Sequence, residues 1–164
     1  MRLDPLMDVI WRYSSMWSIE PSAGADGRVF GQGDGSFTGR LSGEAQWANC
    51  PRLRGDFAFP DARGVLTLDN GGFVIFELTG MSSLADGAGV HVMRFQTEDP
   101  AHLWLNDVIA VGEGSIDAER SALAMRYYEC IVDFRPAVPE ADGARTGAVP
   151  EQEPHLRPPR VRSR

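Results

Sequence analysis

Apolar and polar residues alternate along most of the chain, which is the pattern of β-strands that bury one face. Val9, Trp11 and Tyr13 recur at every second position, and the stretch from Phe37 to Trp47 alternates most regularly. Glycine-rich turns separate these segments, and counting them gives about eight strands in mostly hairpin order. The pattern therefore predicts an all-β protein, a closed antiparallel barrel with mostly meander connections.

Two stretches depart from this alternation. Asp99 followed by Pro100 resembles an N-cap with proline at the first helical position, which predicts one short helical turn from Asp99 to Trp104. Beyond Arg135 the chain is rich in Pro, Ala, Gly, Glu and Arg, a composition that does not offset the entropy lost on ordering. We expect a single β-barrel domain over residues 1–137 and a disordered tail over residues 138–164.

The clearest hairpin spans Asp61 to Gly80 around Asp69-Asn70-Gly71-Gly72. Asn-Gly favours a two-residue or a four-residue turn, and both give the same register. The predicted cross-strand pairs are Leu66 with Ile75 and Gly64 with Glu77 on one face, and Val65 with Phe76 and Arg63 with Leu78 on the other. Both faces are mostly apolar, whereas a barrel wall buries one face only, so the other face is expected to pack against a second copy in a homodimer.

The segment from Gly31 to Gly35 carries three glycines and invites comparison with a phosphate-binding loop. It lacks the glycine spacing of a dinucleotide fingerprint and the lysine of a P-loop, and a strand rather than a helix follows it. We interpret the segment as a tight turn that leads into a twisted strand.

Composition narrows the classes of function. The net charge is −7 and the pI is near 4.9, whereas nucleic acids and anionic membranes require a basic surface, so neither is an expected partner. All 16 basic residues are arginine, which excludes a Schiff-base lysine and a Ser-Lys dyad. Cys50 and Cys130 have no histidine at metal-ligand spacing, so we expect reduced thiols, no metal and no cofactor. The N-terminus is unlike a secretory signal and no apolar run is long enough to span a membrane, which favours a cytoplasmic protein.

Three stretches of the chain resemble a known family. They are GDGSFTGRLSG from Gly33 to Gly43, DARGVLTLDNGG from Asp61 to Gly72, and TEDPAHLWLNDVIAVGEG from Thr97 to Gly114. They resemble a bacterial family of uncharacterised proteins, domain of unknown function 3237, over most of residues 7–134.

The resemblance implies a closed barrel similar to the allene oxide cyclase and calycin barrels, with a lumen able to hold a small apolar molecule. It implies no particular activity. The sequence departs from the family pattern at Arg40, where a proline is common, and at Gly64, where an aromatic residue is common. Gly64 is therefore expected to enlarge the lumen.

The candidate site residues are polar or aromatic groups set in apolar strands, together with the glycine that gives them space. They are Glu77, Gly64, Arg63, Trp47, Arg94, Asn106 and Tyr128. The predicted register puts Gly64 beside Glu77, which favours a ligand site there and makes Glu77 the candidate catalytic residue. The competing interpretation is that the charged residues form outer-face or interstrand ion pairs and that Trp47 and Tyr128 pack in the core.

Three hypotheses follow. In the first, the lumen binds a small hydrophobic metabolite without changing it. In the second, the protein is a cofactor-free isomerase or cyclase that uses a buried carboxylate with a raised pKa. In the third, side chains fill the lumen and the protein has a structural or interaction role. His91 and His102 lie in no hydrolase or zinc-protease motif, and we interpret both as structural histidines.

Overall fold

A computed structural model of the protein describes residues 1–117 and 122–132. Ten strands and one short 3-10 helix make up this part of the chain. The elements are β1 (Arg2–Ile19), β2 (Gly27–Gly39), β3 (Gly43–Asn49), β4 (Arg52–Arg54), β5 (Phe57–Phe59), β6 (Asp61–Leu68), β7 (Phe73–Ser83), β8 (Gly89–Gln96), the 3-10 helix (Leu103–Asp107), β9 (Ile109–Asp117) and β10 (Ala122–Ile131).

Eight of the strands close into an antiparallel barrel, which confirms the predicted fold. From β6 to β10, each strand pairs with the next one along the chain, and the short helix lies in the connection between β8 and β9. Strand β10 then pairs with β1, which closes the barrel. On the other side β1 pairs with β2, β2 with β3, and β3 with β6. All of these backbone edges are paired, which removes the exposed edges of an open sheet.

The two remaining strands form a small hairpin at one end of the barrel. This hairpin, β4 with β5, connects the start of β2 to the end of β7. We refer to the barrel end that carries this hairpin as the open end, and to the opposite end as the closed end.

The closed end is filled by apolar side chains. Phe37, Leu66 and Val74 point inward from three strands and are almost completely buried. Leu105 of the 3-10 helix is also fully buried and joins the same core, so the segment between β8 and β9 covers this end. The helix lies at Leu103–Asp107 rather than at the predicted Asp99–Trp104.

The displacement of the helix has a local cause. Asp99 caps a separate turn: its Oδ1 accepts the backbone N–H of Ala101 at 3.1 Å, and its Oδ2 lies 2.7 Å from Nδ1 of His102. Asn70 donates to the same carboxylate from the β6–β7 turn at 3.3 Å. These contacts fasten the segment over the closed end of the barrel.

The predicted register of the β6–β7 hairpin is wrong by one residue. The loop has three residues, Asp69-Asn70-Gly71, and Gly71 has the positive φ of 86° that completes such a turn. The observed pairs are Arg63 with Glu77, Gly64 with Phe76, Val65 with Ile75 and Leu66 with Val74. Because side chains alternate between faces, this one-residue shift puts Gly64 and Glu77 on opposite faces of the sheet.

The glycine-rich segment is also corrected by the structure. Gly31, Gly33 and Gly35 lie inside β2, where they pair with β1 and β3, so they do not form a turn. A Cβ atom at Gly35 would lie 3.0 Å from the Trp11 ring, and one at Gly33 would lie 3.1 Å from the Trp47 ring. At Gly33 a Cβ atom would overlap the carbonyl oxygen of Arg12, so this glycine permits the close approach of β1, whereas Gly31 and Gly35 also make room for aromatic rings inside the barrel.

The predicted tail over residues 138–164 lies outside the described residues. No helix in the described part of the chain is long and apolar enough to cross a bilayer. The cytoplasmic location stays a prediction.

Candidate functional site

A cavity of about 70 Å³ lies inside the open end of the barrel. Its lining combines aromatic, small apolar and uncharged polar side chains. They are Trp11, Tyr13, Trp47, Phe76, Pro51, Ala58, Pro60, Ala62, Leu78, Leu123, Asn49, Ser82 and His91. None of these lining residues in the described chain is an acid or an arginine, so the interior of the cavity is neutral apart from any titration of its histidine and tyrosine.

An aromatic cluster forms one wall of the cavity. Trp47 lies edge-on to Trp11 and to Tyr13, with ring centroids 6.0 Å and 4.7 Å apart. Trp11 also packs against Phe76 at 5.4 Å. Such offset and edge contacts hold each ring in a defined orientation. The wall is therefore a rigid apolar surface.

The polar atoms of two of these aromatic residues are satisfied by the protein. Nε1 of Trp47 donates to the carbonyl oxygen of Asp34 at 2.8 Å. Burial raises the pKa of Tyr13, and a hydrogen bond with Asn49 partly opposes that increase. Tyr13 is consequently a neutral phenol at physiological pH.

The most polar part of the cavity is a buried pair on β7 and β8. Oγ of Ser82 lies 3.0 Å from Nε2 of His91, and both residues are more than nine-tenths buried. Loss of hydration lowers the pKa of His91 to about 4, so the imidazole is neutral at pH 7. Its other nitrogen, Nδ1, is buried and makes no hydrogen bond with any residue that the structure describes.

Three of the predicted site residues lie outside the barrel. Glu77 faces solvent between Arg63 and Arg94, with carboxylate-to-guanidinium distances of 3.4 Å and 3.2 Å. Its side chain is 50% exposed. The prediction that Glu77 lines the lumen is wrong, because the three-residue turn reverses the face on which it lies. An exposed carboxylate with two arginine partners is not the desolvated acid that the predicted site requires.

Two other predicted residues do lie inside. Trp47 contributes to the cavity wall. Gly64 faces inward opposite Phe76, and a Cβ atom there would lie 2.7 Å from the Phe76 ring. The space beside Gly64 is therefore occupied by the Phe76 ring and is not available to a ligand.

The last two candidates belong to other parts of the barrel. Asn106 is near the closed end, where its side-chain amide pairs with the backbone N–H and carbonyl of Thr97 at 2.8 Å and 3.0 Å. The hydroxyl of Tyr128 donates to Glu113 at 3.2 Å, at an exposed contact. The buried tyrosine of β10 is its neighbour Tyr127, whose ring packs over Gly112.

Sequence reasoning missed the importance of His91 and Ser82. The alternation of β8 did place His91 on the same face as Met93 and Phe95, both of which are buried. The partnership with Ser82 depends on how β7 and β8 pair, which no local motif reveals. Within the described residues, no group of three or more Cys, His, Asp and Glu side chains could hold a metal ion.

The homodimer also stays a prediction. Val65 and Ile75 are neighbours on the outer face of the β6–β7 hairpin and are 37% and 47% exposed, and Val92 is exposed on the adjacent β8. Sedimentation velocity of the wild type beside Ile75→Glu tests this prediction. A dimer that the substitution dissociates would support it, and a wild-type monomer at tens of micromolar would contradict it.

Comparison with solved structures shows the same barrel in other proteins. The chain is similar to a β-barrel-like protein from Acinetobacter baumannii, with 23% identity over 78% of this chain and 94% of that one and a TM-score of 0.69. It is similar to a protein of unknown function from Clostridium acetobutylicum, with 17% identity, coverage of 79% and 99%, and a TM-score of 0.70. It is also similar to an enzyme from Penicillium herquei, with 17% identity, coverage of 78% and 94%, and a TM-score of 0.57.

These likenesses establish the fold and leave the activity open, because barrels of one architecture host unrelated functions. No protein-family model and no curated protein matches the chain. Membership of the family with domain of unknown function 3237, and similarity to allene oxide cyclase, therefore stay predictions.

Proposed function

We propose that the open end of the barrel binds a small, largely apolar molecule. The observation that carries this proposal is the aromatic-walled cavity with a few uncharged polar groups, which is the usual composition of a small-molecule site. Ala58, Pro60 and Pro51 line the cavity where the β4–β5 hairpin meets the barrel. The ligand would enter past this small hairpin.

The volume limits the size of the ligand. A cavity of about 70 Å³ is smaller than the roughly 150 Å³ that accommodates benzene in an engineered protein interior. A single ring fits if the short β4–β5 hairpin yields slightly or if part of the ligand remains in the mouth. Multi-ring metabolites would require a larger rearrangement of the aromatic wall.

The cavity lining favours binding over carboxylate catalysis. A cofactor-free isomerase or cyclase of the predicted kind requires an Asp or Glu beside the ligand, and the described lining contains neither. Fold likeness to the Penicillium herquei enzyme shows that this architecture can house catalysis, but it supplies no catalytic group to this chain. The packed-lumen hypothesis describes the closed end well and does not account for the open end.

Benzene is a suitable probe for this proposal because it has no polar group. The wild-type protein should show saturable shifts of the Ala62, Leu78 and Leu123 methyl resonances on titration with benzene. Ala58→Phe should fill the cavity mouth and abolish those shifts. Thr79→Phe, on the exposed face of β7, adds the same ring outside and serves as the control.

The result against the proposal would be the absence of saturable shifts in the wild type. Equal shifts in Ala58→Phe and wild type would place binding elsewhere. In either case the open end would not be the ligand site.

A further inference from the structure

The two nitrogens of the His91 ring have different surroundings. Nε2 pairs with Ser82 Oγ, whereas Nδ1 is buried and has no hydrogen-bond partner among the described residues. Leaving a buried polar atom unpaired is unfavourable, because the loss of its hydration is not offset by a new hydrogen bond. Such atoms in folded proteins commonly meet a water or a ligand instead.

The residues that pair with His91 on the two adjacent strands have no side chain that could satisfy Nδ1. In the sheet, His91 pairs with Gly80 on β7 and with Gly112 on β9. A Cβ atom at Gly80 would lie 2.7 Å from Cδ2 of His91, so a larger residue there would displace the imidazole. The Tyr127 ring fills the space at Gly112, and His91 itself lines the cavity, from which a partner of Nδ1 can come.

The groups around His91 also indicate whether the partner of Nδ1 is charged or neutral. The imidazole is neutral at pH 7 because burial lowers its pKa to about 4. Two phenols belong to these surroundings: Tyr13 lines the cavity, and Tyr127 packs over Gly112, which pairs with His91. Burial raises the pKa of both, so neither carries a charge. A charged ligand would lose its hydration and find no counter-ion there.

We infer that His91 is the polar anchor of the cavity and that its ligand is a small neutral ring compound bearing a hydroxyl group, which hydrogen-bonds Nδ1. This inference rests on the proposed function of the open end. A hydroxyl both donates and accepts, so it satisfies Nδ1 in either tautomer of the imidazole. The ring of the ligand would lie against Trp11, Trp47 and Phe76.

A comparison of phenol with benzene isolates the anchor, because the two probes differ by a single hydroxyl. Wild-type protein should bind phenol about tenfold more tightly than benzene, which corresponds to about 1.4 kcal/mol. His91→Phe keeps a planar ring at this position and should remove that preference while retaining benzene binding. His102→Gln, at the closed end, should keep the preference and serves as the control.

A direct measurement accompanies the affinities. The ¹⁵N resonance of His91 Nδ1 in the wild type should shift on addition of phenol and stay unchanged on addition of benzene. This readout needs no substitution, so it holds even where His91→Phe fails to fold.

The outcomes separate this inference from the proposed function. If benzene and phenol bind equally well and Nδ1 does not respond, the cavity binds ligands but His91 is not its anchor, and a trapped water satisfies Nδ1. A phenol preference that survives in His91→Phe overturns the inference in the same way. If neither probe binds, the proposed function fails and the inference fails with it.

Discussion

The two ends of the barrel interior are built differently although the same eight strands form both. At the closed end, aliphatic residues and Phe37 interdigitate, and Leu105 covers them from the 3-10 helix. At the open end, large rings lie over the glycines of β2 and leave a cavity beside Ser82 and His91. Protein interiors are normally packed closely, so a cavity on one side of the same barrel sets the open end apart from the closed end. The difference is consistent with a stabilising role for the closed end and with the ligand site that we propose at the open end.

The largest expected effect is at the closed end. Leu105→Ala removes a fully buried side chain and should lower the free energy of unfolding by about 2–5 kcal/mol. Leu103→Ala, in the same 3-10 helix but 49% exposed, should change it by less than about 0.5 kcal/mol. Urea denaturation measures both values. Equal effects would show that the helix does not cover the core.

Acid should destabilise the protein through His91. The pKa of this histidine is about 4 in the folded state and 6.5 in the reference state, so the unfolded chain binds more protons between those values. Stability is then complete above pH 6.5 and should fall by about 3 kcal/mol as the pH drops to 4. His91→Phe should lack this component, which urea denaturation across that pH range detects.

Carboxylates also contribute to acid destabilisation and must be separated from the histidine. Arg126 lowers the pKa of Asp8, and hydrogen bonds from His102 and the backbone lower that of Asp99. Both carboxylates remain in His91→Phe and in wild type, so the difference between the two pH profiles belongs to His91. Identical profiles would contradict the burial of a neutral imidazole.

The glycines of β2 should be sensitive to a single methyl group. A Cβ atom at Gly31 would overlap the Tyr13 ring, so Gly31→Ala should cost about 1–3 kcal/mol through overpacking and move the ring that lines the cavity. Gln32→Ala, which is exposed on the same strand, is the matched control. Thermal unfolding compares the two, and equal melting temperatures would contradict the packing described for the open end.

The smallest effect should come from Glu77. Because this carboxylate is exposed and pairs with two exposed arginines, Glu77→Gln should change the unfolding free energy by less than about 1 kcal/mol and leave benzene binding unchanged. Calorimetric titration with benzene checks the second statement. A loss of benzene binding in Glu77→Gln would indicate that the ligand site lies on the outer face of the barrel, beside Glu77.

The sequence predicted the fold because alternation is a strong signal wherever one face of a strand is buried. Val9 and Trp11 lie inside the barrel as their spacing predicts, and so do Ala45 and Trp47. The predicted ligand site is wrong because the length of the β6–β7 turn was predicted incorrectly. Asp69-Asn70-Gly71 fits loops of different length, and a difference of one residue reverses which side chains reach the lumen.

The remaining errors have related causes. Glycine favours turns, but it also permits large rings to approach a strand, so Gly31 to Gly35 was ambiguous until Tyr13, Trp11 and Trp47 were located. The sequence indicated only a structural role for His91, because its partner Ser82 is identified only by the pairing of β7 with β8. Contacts between strands depend on register, and register is not a local property of the sequence.

Xenon binding in a crystal of the protein tests the central claim most directly. Xenon enters apolar cavities without needing a polar contact, and anomalous scattering locates it. We expect one xenon site at the open end, against Trp11, Trp47 and Phe76, and none among the side chains around Leu66 and Leu105. Xenon bound at the closed end, or no xenon at the open end, would contradict the assignment of packing to one end and binding to the other.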